Sequence, residues 1–334
     1  MARPTMENGG ARSNVLWRVA KSLLRVAVGV YVGICLLMLV FQSHLLYHPL
    51  REIECTPERV GLAQEQVTLR TPDGLHLAAW YVPAAEARGT VLFCHGNAGN
   101  MSHRVGTIEI LNRLRMNVLL FDYRGYGASE GSPSEAGTYR DAETAWRHLV
   151  EQRGVAPGDL VIHGRSLGGA VAAQVAEKHP PRALILESTF TSVPDVARGM
   201  FPWLPVRLLA RLRYDTLERI ARIRCPKLII HSRDDDLIPF EHGQRLFEAA
   251  GGPKTLLEIH GRHADGFLTS GKRYENGLDG FLSRHTGALL CAVGPETHRA
   301  RRGRPAAQDG CAVAQPPQGF HRQPPLFGRR GRVQ

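Results

Sequence analysis

Six short apolar runs recur through the middle of this chain, and they constrain its fold more than any other feature. They read "TVLFCHG", "NVLLFDYRG", "DLVIHGRS", "ALILEST", "KLIIHSRDD" and "TLLEIHG". Each is too short for a core helix and too continuously apolar for a strand with one wet face. Longer helical patterns lie between them, such as "AGTYRDAETAWRHLVEQRG" and "GGAVAAQVAEKHP". Strand, helix, strand in series predicts an α/β domain with a mostly parallel central sheet and helices on both faces. Two further runs, "EQVTLRT" and "LHLAAWYVP", are predicted to pair through a turn at Asp73 and Gly74. The whole pattern occupies residues 60–285.

Outside those limits the chain changes character. From Val26 to Leu46 there is no Asp, Glu, Lys or Arg. Those residues match the roughly 20 that cross a bilayer as a helix. No small-residue cleavage site follows, so the segment is expected to be an uncleaved signal-anchor rather than a signal peptide. Arg3, Arg12, Arg18, Lys21 and Arg25 precede it. The positive-inside rule then makes residues 1–25 a basic cytoplasmic N-terminus and exports the body. The expected location is a single-pass protein of a bacterial inner membrane, its main domain on the periplasmic side. Residues 286–334 are rich in Arg, Pro and Gly without amphipathic period, and are expected to be disordered.

The formal net charge is +11 over 334 residues, and the excess sits at the two ends. Residues 1–25 hold five basic residues against one Glu, and residues 286–334 hold eight Arg against two acids. The body between is nearly neutral, so no nucleic-acid partner is expected. Cys35, Cys55, Cys94, Cys225, Cys291 and Cys311 form no C-x-x-C pair. They suggest neither a zinc site nor a disulfide framework, and no cofactor or metal is implied.

Ligands of such sheets sit beyond the carboxyl ends of the strands, and the chemistry-bearing residues fall there. Ser166 lies in "GRSLGG", a G-x-S-x-G pattern at a strand-to-helix turn. That turn pushes the hydroxyl into the open at a helix N-terminus. A serine needs a base to become nucleophilic, and the base needs a carboxylate to orient it. Of 15 histidines, His263 stands in the short loop after the last strand, in "GRHADGF". The acid falls among Asp234, Asp235 and Asp236, between which the residues themselves do not choose. A developing oxyanion needs two fixed N–H groups. These are assigned to the backbone of Leu167, next to the serine, and of Asn97 in "HGNAGN". His95 precedes the serine and is expected to buttress that loop. "DYRGYGASEG" is expected to support the site without touching the chemistry.

Taken in order, "HGNAGN", "FDYRGYGASEG", "GRSLGG", "HSRDDDLIP" and "GRHADGF" resemble the alpha/beta-hydrolase superfamily over residues 62–285. With the apolar N-terminus, the chain is similar to its membrane-anchored, small-cap serine hydrolases, which include protein depalmitoylases and bacterial alpha/beta-hydrolase-domain proteins. The resemblance implies the alpha/beta-hydrolase fold with a small helical lid, here residues 190–224. Its H-G-x-x-D-x-x-V/I-P pattern implies Asp235 as the acid, between His231 and Pro239. Ser232 stands where glycine is usual, and "HAD" where His-Asn-Asp is frequent. The implied activity is hydrolysis of a carboxylic ester or thioester through an acyl-enzyme on Ser166, with acyl ester, thioester or lipid-linked substrates. A serine peptidase of prolyl-oligopeptidase type and an inactive membrane-tethered binding protein are the alternatives. In the lid, Phe201, Trp203, Leu204, Leu208 and Leu209 could line an acyl groove or face a membrane.

Overall fold

The structure is a computed structural model and describes residues 9–286. Eight strands form one sheet. They are β1 (Glu65–Arg70), β2 (His76–Val82), β3 (Gly89–Cys94), β4 (Met116–Phe121), β5 (Leu160–Arg165), β6 (Ala183–Glu187), β7 (Lys227–Ser232) and β8 (Lys254–Ile259). Their order across the sheet is β1-β2-β4-β3-β5-β6-β7-β8. β1 and β2 pair antiparallel with Leu69 opposite Leu77, and β2 runs antiparallel to β4. Every pairing from β4 to β8 is parallel.

Side chains alternate between two cores. Leu92 and Cys94 of β3 face one, with Val91 and Phe93 facing the other. The first core is covered by α3 (Glu135–Arg147), α4 (Leu167–Lys178), α7 (Thr216–Arg222) and α8 (Phe240–Ala249). The second is covered by α2 (Val105–Arg113) and α9 (Lys272–His285). All six parallel runs form strands, but they are not equally buried. β3 to β7 are covered on both sides, whereas β8 is largely half-buried. It is the sheet's edge, so only β7 shields it laterally.

The lid leaves the sheet after β6 and carries α5 (Val193–Met200) and α6 (Val206–Leu209) before α7. The Ser192 side chain caps α5 by accepting the Asp195 N–H at 3.2 Å. α1 (Gly9–Leu46) spans 38 residues, bends at Phe41, and continues well N-terminal of the charge-free segment. Its Leu16–Leu46 portion is long and apolar enough to cross a membrane. The anticipated tail lies outside the described residues apart from Thr286, as does the start of the basic N-terminus. Cys35, Cys94 and Cys225 are free thiols. Cys55 is disulfide-bonded, whereas the sequence suggested no disulfide framework.

Candidate active site

β3 is the switch point of the sheet, pairing with β4 on one side and β5 on the other. The loops leaving β3 and β5 therefore open side by side. At the end of β5 the backbone turns sharply into α4. Ser166 sits on that turn with φ 54° and ψ −121°, a strained conformation for a residue with a side chain. The flanking glycines make the turn possible. A Cβ on Gly164 would stand 2.2 Å from the Gly168 carbonyl oxygen, and one on Gly168 would stand 2.0 Å from that of Cys94. A Cβ on Gly169 would meet the Thr189 hydroxyl at 2.4 Å. The turn is also tied to β6: Ser166 N–H donates to the Glu187 carbonyl, and the Thr189 hydroxyl donates to the Ser166 carbonyl.

The structure brings the three expected side chains together. His263 Nε2 lies 3.0 Å from Ser166 Oγ, and His263 Nδ1 lies 2.8 Å from Asp235 Oδ2. Asp235 is fully buried at its side chain, and its other oxygen accepts the N–H groups of Leu237 and Ile238 at 3.0 and 2.8 Å. Burial pushes this carboxyl up. The His263 bond and charge and the two backbone donors more than offset that, holding it below the usual carboxylate range. His231 stands 3.7 Å behind Asp235, its ring bonded to the Ile238 carbonyl oxygen, and burial lowers its basicity.

The neighbouring aspartates grip the histidine loop instead of the ring. Asp236 Oδ1 accepts the His263 N–H at 3.0 Å while Oδ2 pairs with Arg262 at 2.8 Å. Asp234 accepts the Gly261 N–H and pairs with His260. Ser232, the departure from the family pattern, donates to the Gly261 carbonyl at 2.5 Å and accepts the Asp234 N–H. Its hydroxyl thus stitches the loop after β7 to the loop after β8.

A second support lies beneath. Arg165, last residue of β5, is buried and donates to the carbonyls of His263 and Ala264 at 2.9 and 2.8 Å. Its charge is met by Glu187, 3.4 Å away, which also bonds His163 and Tyr274 at 3.0 and 2.8 Å. Burial would raise the Glu187 carboxyl; the Arg165 charge and the His163 bond lead the opposing effects and bring it down to about 2. Sequence reasoning missed Arg165, Glu187 and His163. Arg165 adjoins the serine in the sequence, which is the only signal that pointed to it.

The loop after β3 packs on the Ser166 turn, with a Cβ on Gly96 falling 3.4 Å from the Ser166 Cβ. Among the described residues no acceptor takes the backbone N–H of Asn97 or of Leu167. The Asn97 side chain is occupied elsewhere: its amide donates to the Leu46 carbonyl and its oxygen accepts from Tyr126 at 3.0 Å. His95 is buried against Tyr123 and Tyr126, 3.3 Å from the buried Asp122, so it buttresses this loop. The 122–131 turn supports from below. Asp122 accepts the Met101 N–H, and Arg124 is held between Asp73 and Asp141. Among the described residues, no cluster of three His, Cys, Asp or Glu side chains is arranged to hold a metal ion.

The sequence and the fold have counterparts in known proteins. The profile of the family described as serine aminopeptidase, S33, matches residues 85–214. An uncharacterised protein of Mycobacterium tuberculosis is 37% identical over 79% of this chain and 95% of its own length. The alpha/beta hydrolase domain-containing protein WAV2 of Arabidopsis thaliana is 36% identical over 74% of this chain and 89% of its own length. Among solved structures, an esterase of Pyrococcus furiosus superposes with a TM-score of 0.61 at 22% identity. It covers 72% of this chain and 98% of its own. That likeness is one of fold.

Proposed function

This chain belongs to the alpha/beta-hydrolase family, and from that premise we propose that it is a membrane-anchored serine hydrolase acting on carboxylic esters or thioesters. One observation carries the reading. A serine hydroxyl on a strained turn faces an imidazole at 3.0 Å, whose far nitrogen meets a buried carboxylate at 2.8 Å.

His263 Nε2 accepts the Ser166 proton as Oγ attacks the substrate carbonyl carbon. The Oγ–C bond forms and the carbonyl π pair moves to oxygen. The Asn97 and Leu167 N–H groups receive that oxyanion, each donor contributing about 3 to 4 kcal/mol of transition-state stabilisation. Asp235 holds the imidazole in one tautomer and stabilises its positive charge. The tetrahedral intermediate collapses as His263 gives its proton to the leaving alcohol or thiol. Water then attacks the acyl-enzyme by the same route and restores Ser166. The chemistry requires no group beyond these side chains, the two backbone N–H groups and water.

Anchoring is supported by the charge-free stretch of α1, and the basic residues before it favour export of the body from the cytoplasm. The body is then expected to survive a carbonate wash in the membrane fraction and to be cut by protease added outside the inner membrane. The description of the matching family favours one rival, an aminopeptidase. A panel of p-nitrophenyl esters of rising chain length, run beside aminoacyl p-nitroanilides, separates the two. Ester turnover that disappears in Ser166→Ala supports the proposal. Faster turnover of the anilides than of every ester overturns it in favour of a peptidase, and turnover of neither leaves a binding protein.

A further inference from the structure

α1 does not stand clear of the domain it would anchor. Tyr31 donates its hydroxyl proton to the Trp203 carbonyl at 3.0 Å. Eleven residues on, the Gln42 amide donates to the Leu209 carbonyl at 2.7 Å and accepts the Arg211 N–H at 2.7 Å. The helix face bearing Ile34, Cys35, Met38 and Gln42 is partly covered, whereas residues 16–32 are exposed. Tyr31 to Leu46 is about 22 Å of helix, against a hydrocarbon thickness of about 30 Å. Upstream, Arg25 leaves only residues 26–30 as charge-free helix before the first lid contact. The anchor therefore cannot cross a bilayer while the lid beside it stays wholly in water.

We propose that the lid hairpin, residues 200–211, enters the leaflet alongside α1, so that Ser166 receives acyl chains from esters or thioesters of membrane lipids. This rests on α1 being an anchor and Ser166 being the nucleophile. The hairpin is suited to that place. Irregular backbone survives in lipid only when its polar groups are satisfied. Here the N–H groups of Phe201, Leu204, Val206, Leu208 and Ala210 bond within the lid. Pro202 and Pro205 carry no N–H, and two of the carbonyls meet Tyr31 and Gln42. Outward it presents Trp203 and Leu208, 53% and 87% exposed, with Met200 beside them. Arg198, Arg207, Arg211 and Arg213 are exposed around this apolar edge, and no acid occurs from 196 to 214. Apolar wedge and flanking arginines match acyl chains and anionic headgroups.

The site lies at the same level. The carbonyl of Leu46, last residue of α1, accepts the Asn97 amide. Gly96, one residue earlier, packs on Ser166. Leu50 N–H donates to the Gly99 carbonyl, so the segment leaving the membrane is laid directly along the loop assigned to the oxyanion. A lipid ester at the headgroup boundary thus faces the nucleophile without leaving its leaflet.

The test uses the full chain in phosphatidylcholine–phosphatidylglycerol vesicles. The difference in fluorescence between wild type and Trp203→Phe isolates Trp203 from the other tryptophans. We expect that difference to be quenched by phosphatidylcholine brominated in mid-chain and to be insensitive to aqueous iodide. Quenching by iodide and not by bromolipid, in protein that floats with the vesicles, overturns the insertion alone. Protein that does not float overturns the anchor and the insertion together. In the second arm, Trp203→Glu/Leu208→Glu should lose about tenfold or more on a long-chain ester held in vesicles and stay within about twofold on p-nitrophenyl acetate. Equal activity of variant and wild type on the vesicle ester overturns delivery from the leaflet. If wild type turns over neither ester, the nucleophile assignment and lipid hydrolysis fall, while the quenching arm still decides the insertion.

Discussion

The Ser166 turn and the His263 loop hold the two ends of one 3.0 Å contact by opposite means. Residues 164–169 are fixed by sterics: three glycines allow backbone to press on backbone, and all but Ser166 are buried. Residues 260–265 are mostly exposed or half-buried and are fixed by side-chain bonds reaching in from Ser232, Asp234, Asp236 and Arg165. Close packing fails all at once when a methyl group is added, because interiors do not yield. A set of polar bonds fails by degrees, and it responds to pH. Ser166 is set as part of the core, and His263 is set as part of the surface.

The sharpest way to break this contrast is Gly168→Ala. Its new Cβ would lie 2.0 and 2.5 Å from two backbone carbonyl oxygens, of Cys94 and His95, neither of which can swing aside. We expect a loss above about 4 kcal/mol, read as failure to give a cooperative thermal transition. A variant that melts like wild type would show that the turn is not held by packing. Next in size, Asp235→Asn should fold, keep its melting temperature within a few degrees, and lose roughly 10⁴-fold in kcat. Asp236→Asn and Ser232→Gly should each cost about tenfold or less in kcat, because each removes one of several restraints on His263. Their double variant should lose more than the product of the two if the restraints share the load. Losses as deep as that of Asp235→Asn would place Asp236 in the chemistry itself.

The smallest effect is electrostatic. Glu187 is depressed in the folded state to about 2, from about 4.3 in an unfolded chain. A depressed acid contributes stability that is fully present above the unfolded value and is lost as pH falls through the folded one. Denaturant midpoints should therefore decline between about pH 4.3 and 2. Glu187→Gln should flatten that slope even though it lowers stability at neutral pH by leaving Arg165 unpaired. An unchanged slope would remove Glu187 from the account.

What the sequence disclosed follows the same division. Strands β1 to β8, the Ser166 turn and the position of His263 were legible because each depends on local pattern: apolar runs, glycine spacing, a loop after a strand. Asp235 was not separable from its neighbours by local chemistry, since all three are equally good carboxylates. Only the family pattern singled it out, and the geometry then put it beside the imidazole. The Arg165–Glu187–Tyr274 support joins residues up to 109 positions apart, and Tyr31 meets Trp203 across 172, so no local signal existed for either. Ser232 looked like a departure from a glycine position; its role became visible only once Gly261 was seen across from it.

The most direct test of the central claim is covalent. Purified full-length protein treated with a fluorophosphonate should carry one adduct, mapped by peptide mass spectrometry to Ser166. Ser166→Ala should carry none, and Asp235→Asn should label far more slowly. An adduct that persists on Ser166→Ala, or a wild-type protein that takes no label while folded, would contradict the reading of Ser166, His263 and Asp235 as one reactive unit.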